Sequence, residues 1–395
     1  MISGKKIAIV GGGIIGLSLA YKLSYQNKVV VFEKENVEGL HQSGRNSGVL
    51  HCGLSYSPGS LKAQLSVKGI SEMVDYAMKN RIDHDICGKI VVATTEKEVI
   101  ELEKIAEKGR KNGLKGLKYL SSSELKRREP NVVAKKALLV PEEGIIDYKG
   151  VMKSLINKIK ENNGEIIFNF EVKNVSEKKN KVLVVGNEAL EFDKLISCCG
   201  LWSDKSFDKL ALEKSPLKII PFRGEYLKFK KDYNEVFNHL VYPVPDPKYP
   251  FLGVHFTRMI NGTREVGPNA VLAFQKDGYS RSSFSFYDTI DFLSYPGLVR
   301  FIYRNFKFSF NEFRSSFFIS SFVKKAQKLI PDINSKMLET GPTGIRAQAI
   351  SSKGELLMDF NILKKRNQIH ILNAPSPGAT SSLAIASYVI DNYIN

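Results

Sequence analysis

The chain opens on an unbroken apolar run, "KIAIV", passes a cluster of glycines, and continues into "IIGLSLAYKLS", where Ile15, Leu19 and Leu23 recur at helical spacing. A second unbroken run, "KVVVF", follows. Strands without polar alternation are buried on both faces, the pattern of a parallel sheet covered by helices. The opening therefore reads as strand, glycine turn, helix, strand. Further along, a long helix is expected over about 60–80, a strand over "CGKIVVATT", and an amphipathic helix over "EKEVIELEKIAEKGRKNG", closed by Gly113. Another helix is expected over "GVMKSLINKIKENNG", ending at Gly164, and short strands with a lysine/asparagine turn run on to Cys198–Cys199.

The middle of the chain changes character. From Ile219 to Phe274 strand-like runs alternate with prolines, which predicts a mixed or antiparallel sheet. From Asp277 to Ile330 the pattern is helical and crowded with phenylalanine, and "IHILNAPSPGATSSLAIASYVIDNYI" then returns to strand, turn, helix. No internal repeat or low-complexity tail interrupts this order.

Gly11, Gly13 and Gly16 fit the G-x-G-x-x-G pattern between the first strand and helix. The first glycine permits the tight turn, the second lets backbone approach a pyrophosphate, and the third lets helix and strand pack closely, with the helix N-terminus facing the phosphates. Glu33 ends the second strand, 17 residues after Gly16, where a carboxylate accepts hydrogen bonds from an adenosine ribose. There is no second fingerprint of this kind. A glycine- and serine-rich helix start near 377–382 favours FAD over NAD, because a helix N-terminus there would stabilise the anionic edge of a reduced flavin. The expected fold class is α/β: a Rossmann-like FAD-binding domain built from separated segments (1–80, 145–218 and 335–395) with an inserted α+β substrate domain (81–144 and 219–334) on a mixed or antiparallel sheet.

Composition narrows the class. With 395 residues, 43% hydrophobic and 25% charged, this is an ordinary globular protein large enough for one big core or two joined ones. No apolar run approaches the roughly 18–20 residues needed to span a membrane, and no secretory leader is read at the start. The four cysteines form no C-x-x-C pair, which argues against a zinc site and a disulfide framework and for a reducing, cytoplasmic setting. The net charge of +17 is carried largely by lysines on helical segments. Solvated helix faces account for it; attraction to an anionic substrate or membrane surface is the functional reading. No arginine–aromatic nucleic-acid module is present, so no nucleic-acid partner is expected.

The blocks "HQSGRNSGVLHCGLSYSPGSLKA", "CGKIVVAT", "PEEGIIDY", "PFRGEYLKF", "VYPVPDPKYPFLGVHFTRMINGTREVGPNAVLAF", "GPTGIRAQ" and "NAPSPGATSSLAIA" run from near one terminus to near the other. Through them the whole chain resembles FAD-dependent oxidoreductases of the glycine oxidase/D-amino-acid oxidase structural group, and within that group L-2-hydroxyglutarate dehydrogenases (oxidases). The resemblance implies that L-2-hydroxyglutarate loses a hydride from C2 to the flavin and a proton from its hydroxyl, giving 2-oxoglutarate. It further implies that electrons pass on to a quinone-linked chain or to oxygen. Two positions depart from the family pattern: Ser55 stands where a tyrosine is common, and Ser66 where a cysteine is common.

Such a reaction needs cations for two carboxylates, a base for the hydroxyl proton and a flavin held beside C2. Arg346 resembles the arginine that the group places near flavin and substrate carboxylate; a structural ion pair is the plainer reading. His51 and His255 are rival bases, imidazole being the side chain that titrates near working pH. Arg258 is a carboxylate ligand only if its strand ends or bulges, since positions 255 and 258 of a regular strand face opposite ways. Tyr226 and Asn269 are weaker pocket candidates. Arg45, Ser47, Gly48, Gly378 and Thr380 are expected at the cofactor, with Val172 giving backbone contacts to adenine by analogy with the group. His41 is expected to pack near the cofactor, while His84, His239 and His370 are read as structural or exposed. Finally, residues 281–330 hold eleven of the 23 phenylalanines and eight basic residues against three acidic ones. This stretch reads as core helices, as a peripheral membrane surface or as a subunit interface.

Overall fold

The computed structural model describes residues 3–246, 253–305 and 319–394. A six-stranded sheet runs in the spatial order 361–365, 368–373, 194–197, 6–10, 28–32, 165–167. All its pairings are parallel except the outermost, between Asn361–Lys365 and Gln368–Asn373. Ile9 sits between Ile196 and Val31 in this register, so the two unbroken apolar runs are central strands. Helices Ile14–Ser24, Leu61–Lys79, Tyr148–Glu161 and Ser382–Val389 bury Leu17, Leu19, Met73, Leu155 and Ile385 in one core with that sheet. An antiparallel meander over residues 174–192 contributes a second cluster, in which Phe32, Phe170 and Phe192 pack ring against ring.

Helix boundaries follow local chemistry. The Ser60 hydroxyl accepts from the Ala63 N–H to start the helix expected over 60–80, and Thr95 with Glu98 forms a reciprocal capping box for Glu96–Lys111. Close packing at Gly69 fixes the long helix against the last one: a Cβ there would lie 2.6 Å from the Ser381 Cα.

The second sheet has nine strands and is mixed, with one parallel pairing (Lys89–Ala93 beside Leu240–Pro243) among antiparallel ones. The strand Leu338–Ser351 corrects the boundary expected at 335. It is not part of the nucleotide sheet but pairs along its length with Leu217–Phe229 of the large sheet, from Leu217 opposite Ser351 to Phe229 opposite Leu338. Its Gly-Pro-Thr-Gly sequence has a turn-like composition, yet a neighbouring strand pairs on both sides of it, with a register shift at Gly341–Pro342. A small three-stranded sheet (49–50, 144–146, 84–85) sews the loop after the glycine-rich opening to the chain leaving the large-sheet strand Lys136–Val140.

The aromatic stretch divides. Phe292, Leu298 and Phe301 are buried against Phe222 and Ile350, and Phe322 joins the core of the large sheet, as core helices should. Phe286, Tyr287, Ile290, Leu293, Val299 and Tyr303, on helices Phe286–Leu293 and Pro296–Arg304, are exposed. The part from 306 to 318 lies outside the described residues. Among the described residues no helix is long and apolar enough to cross a membrane.

Candidate active site

The glycine turn leaves bare backbone where a dinucleotide needs it. Gly11 has φ +110°, in the region that favours glycine, and a Cβ there would lie 2.4 Å from the Cys198 carbonyl. A Cβ on Gly16 would lie 2.1 Å from the Gly11 oxygen, so helix and turn touch through glycine alone. Gly13 is the N-cap of the helix and supplies no side-chain cap; the Ser43 hydroxyl accepts from the Ile14 N–H at 3.0 Å. Glu33 is buried, with its carboxylate held by the N–H groups of Gly12 (2.6 Å) and Glu35 (3.0 Å), which leaves lone pairs for ribose hydroxyls. Phe170 N–H donates to the Glu33 carbonyl, which draws the segment carrying Val172 beside this carboxylate.

At the other end, helix Ser382–Val389 also starts without a side-chain cap, and the buried hydroxyls of Ser381 and Ser382 have no hydrogen-bond partner. Gly378 closes the turn before it. The Thr380 hydroxyl is spent within the protein: it accepts from the His51 N–H (3.2 Å) and meets the Tyr148 hydroxyl at 2.7 Å. An FAD-sized ligand fits this donor set, with a glycine cradle and helix N-terminus for the pyrophosphate, a fixed carboxylate for the ribose, and an uncapped second helix for an anionic ring edge.

Between the two sheets lies a group of ionisable side chains. Glu143, in the turn between the strands Lys136–Val140 and Gly144–Ile146, is only 1% exposed. Its carboxylate takes the Lys89 ammonium at 2.7 Å, His51 Nδ1 at 3.3 Å, and the Cys52 N–H and thiol at 3.3 Å each. Burial alone would raise the Glu143 carboxyl, but the Lys89 ammonium, and then His51, hold it well below the usual carboxylate range. An ionised carboxylate can only accept, so His51 carries a proton on Nδ1, and in the neutral imidazole Nε2 is then the acceptor.

His255 also has a bare Nε2, because its Nδ1–H donates to the Gly253 carbonyl at 2.9 Å. Its ring lies 4.1 Å from that of Tyr242, whose ring in turn stands edge-on to His51 at 6.4 Å. Burial pushes His255 down to about 3; the Gly253 contact opposes this, while His51, Arg346 and Lys89 add to it. The two histidines therefore differ in character: a proton on His51 faces a carboxylate, whereas a proton on His255 faces the cations Arg346 and Lys89.

Arg346 projects from the strand Leu338–Ser351, opposite Phe222. It lies deep in the molecule yet its side chain is open to solvent, so it points into a cavity rather than into packed protein. Burial lowers its pKa, and Tyr226 and Tyr56 act the other way. Tyr226 is likewise deep and partly open; burial pushes its hydroxyl up to about 12, and the Ser47 hydroxyl bonds it. The backbone of Gly344 comes so close to the Arg45 carbonyl that a Cβ would sit 2.6 Å away, which locks the Arg346 strand onto the loop of Ser47, Gly48 and His51. Gly48 has φ +66°, another conformation that favours glycine.

The structure thus gathers His51, His255, Arg346, Tyr226 and Ser47 into one region. Three other expected residues are engaged elsewhere. Arg258 pairs with Asp85 at 2.9 Å: the strand His255–Arg258 is regular, so its fourth position faces away from the first. Asn269 holds Glu225, accepting from its N–H (2.9 Å) and donating to its carboxylate (3.0 Å). Arg45 donates to the Leu40 carbonyl and stacks 3.8 Å over the Tyr279 ring. His41 bridges Tyr279 and Glu35, and His84, His239 and His370 bond Ile82, Glu129 and Ser197. Sequence reasoning missed Glu143, Lys89, Tyr242, Tyr56 and Lys62. Each lies inside a block that carries the family resemblance, and a lysine heading the apolar run "KIVVA" was a visible signal.

Comparison with known proteins gives the same picture. Residues 6–392 match the FAD dependent oxidoreductase family. The chain is 42% identical over 391 residues to L-2-hydroxyglutarate dehydrogenase of Indibacter alkaliphilus, covering 98% of each. It is 40% identical to the Escherichia coli K12 enzyme of that name (97% of this chain, 91% of the other) and 37% identical to the human mitochondrial one (98% and 88%). Among solved structures, L-α-glycerophosphate oxidase of Mycoplasma pneumoniae with FAD bound superposes with a TM-score of 0.78 at 23% identity, covering 98% of this chain and 94% of that one. Glycine oxidase of Geobacillus kaustophilus gives 0.73 at 17% identity, with the same coverage.

Removing the Glu143 charge leaves Lys89 buried without its counter-ion. Glu143→Gln should lower unfolding stability by about 3–5 kcal/mol at pH 7, read by urea denaturation. The folded-state carboxyl titrates below its unfolded value, so this contribution is fully present above about pH 4.5 and is lost as pH falls towards the folded pKa. The gap between the two proteins should therefore narrow below that pH; a gap that is absent at pH 7, or that widens in acid, contradicts the assignment. By its sequence and by the cradle its residues form, the chain belongs to the FAD dependent oxidoreductase family and, within it, to the L-2-hydroxyglutarate dehydrogenases.

Proposed function

We infer that this protein oxidises L-2-hydroxyglutarate to 2-oxoglutarate with FAD. The observation that carries this reading is the coincidence of near full-length similarity to L-2-hydroxyglutarate dehydrogenases with a deep cavity holding Arg346 and two imidazoles with bare Nε2 atoms. Gly11, Gly13, Gly16, Glu33, Ser47, Gly48, Val172, Gly378 and Thr380 are the residues assigned to the cofactor. FAD, when bound, accepts the hydride that leaves C2.

The protein's own side chains do the rest. Arg346 binds the carboxylate beside the reacting carbon, its planar fork matching both oxygens. Nε2 of His51 takes the hydroxyl proton, and the imidazolium so formed faces the Glu143 carboxylate across Nδ1. His255 lines the same region, but protonation there is opposed by burial and by neighbouring cations, so it is the weaker base of the two. Tyr226, fixed by Ser47, walls the cavity.

Quinone or oxygen takes up the electrons. A peripheral contact with an anionic membrane is supported by the exposed side chains of Phe286, Tyr287 and Tyr303, the last 86% exposed, next to Arg300 and Arg304.

Two outcomes follow. L-2-Hydroxyglutarate, added without oxygen, should bleach the oxidised flavin spectrum; if it does not while another 2-hydroxy or amino acid does, the substrate assignment is wrong. Vesicles of phosphatidylcholine with phosphatidylglycerol should co-sediment the protein, and the triple change Phe286→Ser, Tyr287→Ser, Tyr303→Ser should weaken this at least about tenfold; equal sedimentation of both proteins would remove this surface from the account.

A further inference from the structure

A dicarboxylate brings two negative charges into a dry site, and Arg346 answers one of them. Lys62 lies at the second position of the helix Leu61–Lys79 and is 7% exposed. A buried lysine normally ends on a carboxylate, because an unpaired ammonium in a low-dielectric site is costly. This one does not. The nearest acid, Asp359, has both oxygens committed to backbone: Oδ2 accepts from the Leu61 N–H at 3.2 Å and Oδ1 from the Lys62 N–H at 2.8 Å. The ammonium instead lies 4.4 Å above the Tyr56 ring.

Other neighbours of Lys62 oppose its charge. It stands in the first turn of a 19-residue helix, where the partial positive charge of the N-terminus disfavours it. Arg346 acts on it as a second positive charge in the same region. Burial, then Arg346, pulls the ammonium down to about 8, with Asp359 offsetting only part of this. Tyr56, between them, is held by Ser376 of the turn before the last helix. Lys62, beside the Tyr56 ring, and Arg346 thus bring two cations into one region.

We propose that Lys62 binds the second carboxylate of the substrate, the one remote from the reacting carbon, and so selects dicarboxylic over monocarboxylic 2-hydroxy acids. The assignment rests on the function proposed above. An anion at this point relieves the repulsion between Lys62 and Arg346. No covalent change is involved: the lysine gains a counter-charge, and above about pH 8 it also gains a proton, since a carboxylate partner raises its pKa.

The test compares L-2-hydroxyglutarate with L-2-hydroxyvalerate, which has the same five carbons but lacks the second carboxylate, on the FAD-loaded protein. Lys62→Met should raise KM for L-2-hydroxyglutarate about 10²-fold and leave kcat/KM for L-2-hydroxyvalerate unchanged or higher, while Lys62→Arg keeps the dicarboxylate preference. Binding of the unreactive dicarboxylate glutarate, followed by calorimetry at pH 8 in buffers of different ionisation heat, should take up a fraction of a proton in the unaltered protein and none in Lys62→Met. An unchanged KM, an equal loss on both substrates, or glutarate binding without proton uptake overturns the proposal. If Lys62→Met does not retain FAD, proton uptake by the unaltered protein decides alone. Failure of L-2-hydroxyglutarate to bleach the flavin of the unaltered protein would refute the function instead, and the glutarate titration would still report on Lys62.

Discussion

The Glu143 carboxylate is the point on which the site depends. It joins the turn that carries it, between the strands Lys136–Val140 and Gly144–Ile146, to Lys89 of the large sheet and to the His51–Cys52 loop that follows the glycine turn. A buried charge of this kind is costly unless every lone pair is used, and here an ammonium, an imidazole N–H, a backbone N–H and a thiol use them. The arrangement fixes the tautomer of His51 as well as its place. Without it the loop would have no reason to present Nε2 rather than Nδ1, and the cavity would hold two histidines of similar character instead of two different ones.

The same region shows how two sheets share one site. The nucleotide sheet contributes the glycine turn and Glu33, and the large sheet contributes His255 and Arg346. Their junction is held by a close backbone contact, Gly344 against Arg45, where a single Cβ would force the layers apart. The charges then sort by position: a carboxylate behind His51, Arg346 and Lys89 around His255, and a further cation, Lys62, in the region of Arg346. A 2-hydroxy dicarboxylate has the complementary order, with its hydroxyl and one carboxylate at one end and the other carboxylate at the far end.

Much of this was legible in the chain, for physical reasons that can be named. The turn at Gly11–Gly16 is local: its meaning lies in φ values and in contacts a Cβ would block, and spacing alone reveals it. Buried parallel strands and the capped helix from Leu61 were equally local. The parity of a strand separated His255 from Arg258 before any coordinates, and the regular strand places Arg258 on Asp85. Glu143 and Lys89 were not legible, because 54 positions separate them and each acquires its role only when the strands Lys89–Ala93 and Lys136–Val140 pair, with Lys89 opposite Val140. The strand carrying Arg346 was hidden for the opposite reason: its local composition is that of a turn, and a long-range partner overrides it. Lys62 looked like one more basic residue in a lysine-rich helix until its burial set it apart.

The central claim is that the histidine backed by a carboxylate, rather than the one surrounded by cations, takes the proton. The rate of anaerobic flavin bleaching by L-2-hydroxyglutarate in His51→Ala and in His255→Ala tests it directly. Loss of a positioned base costs about 10²–10⁴-fold. The account predicts a loss of that size for His51→Ala and a smaller one for His255→Ala; the reverse order, or a change of less than about tenfold in His51→Ala, contradicts it.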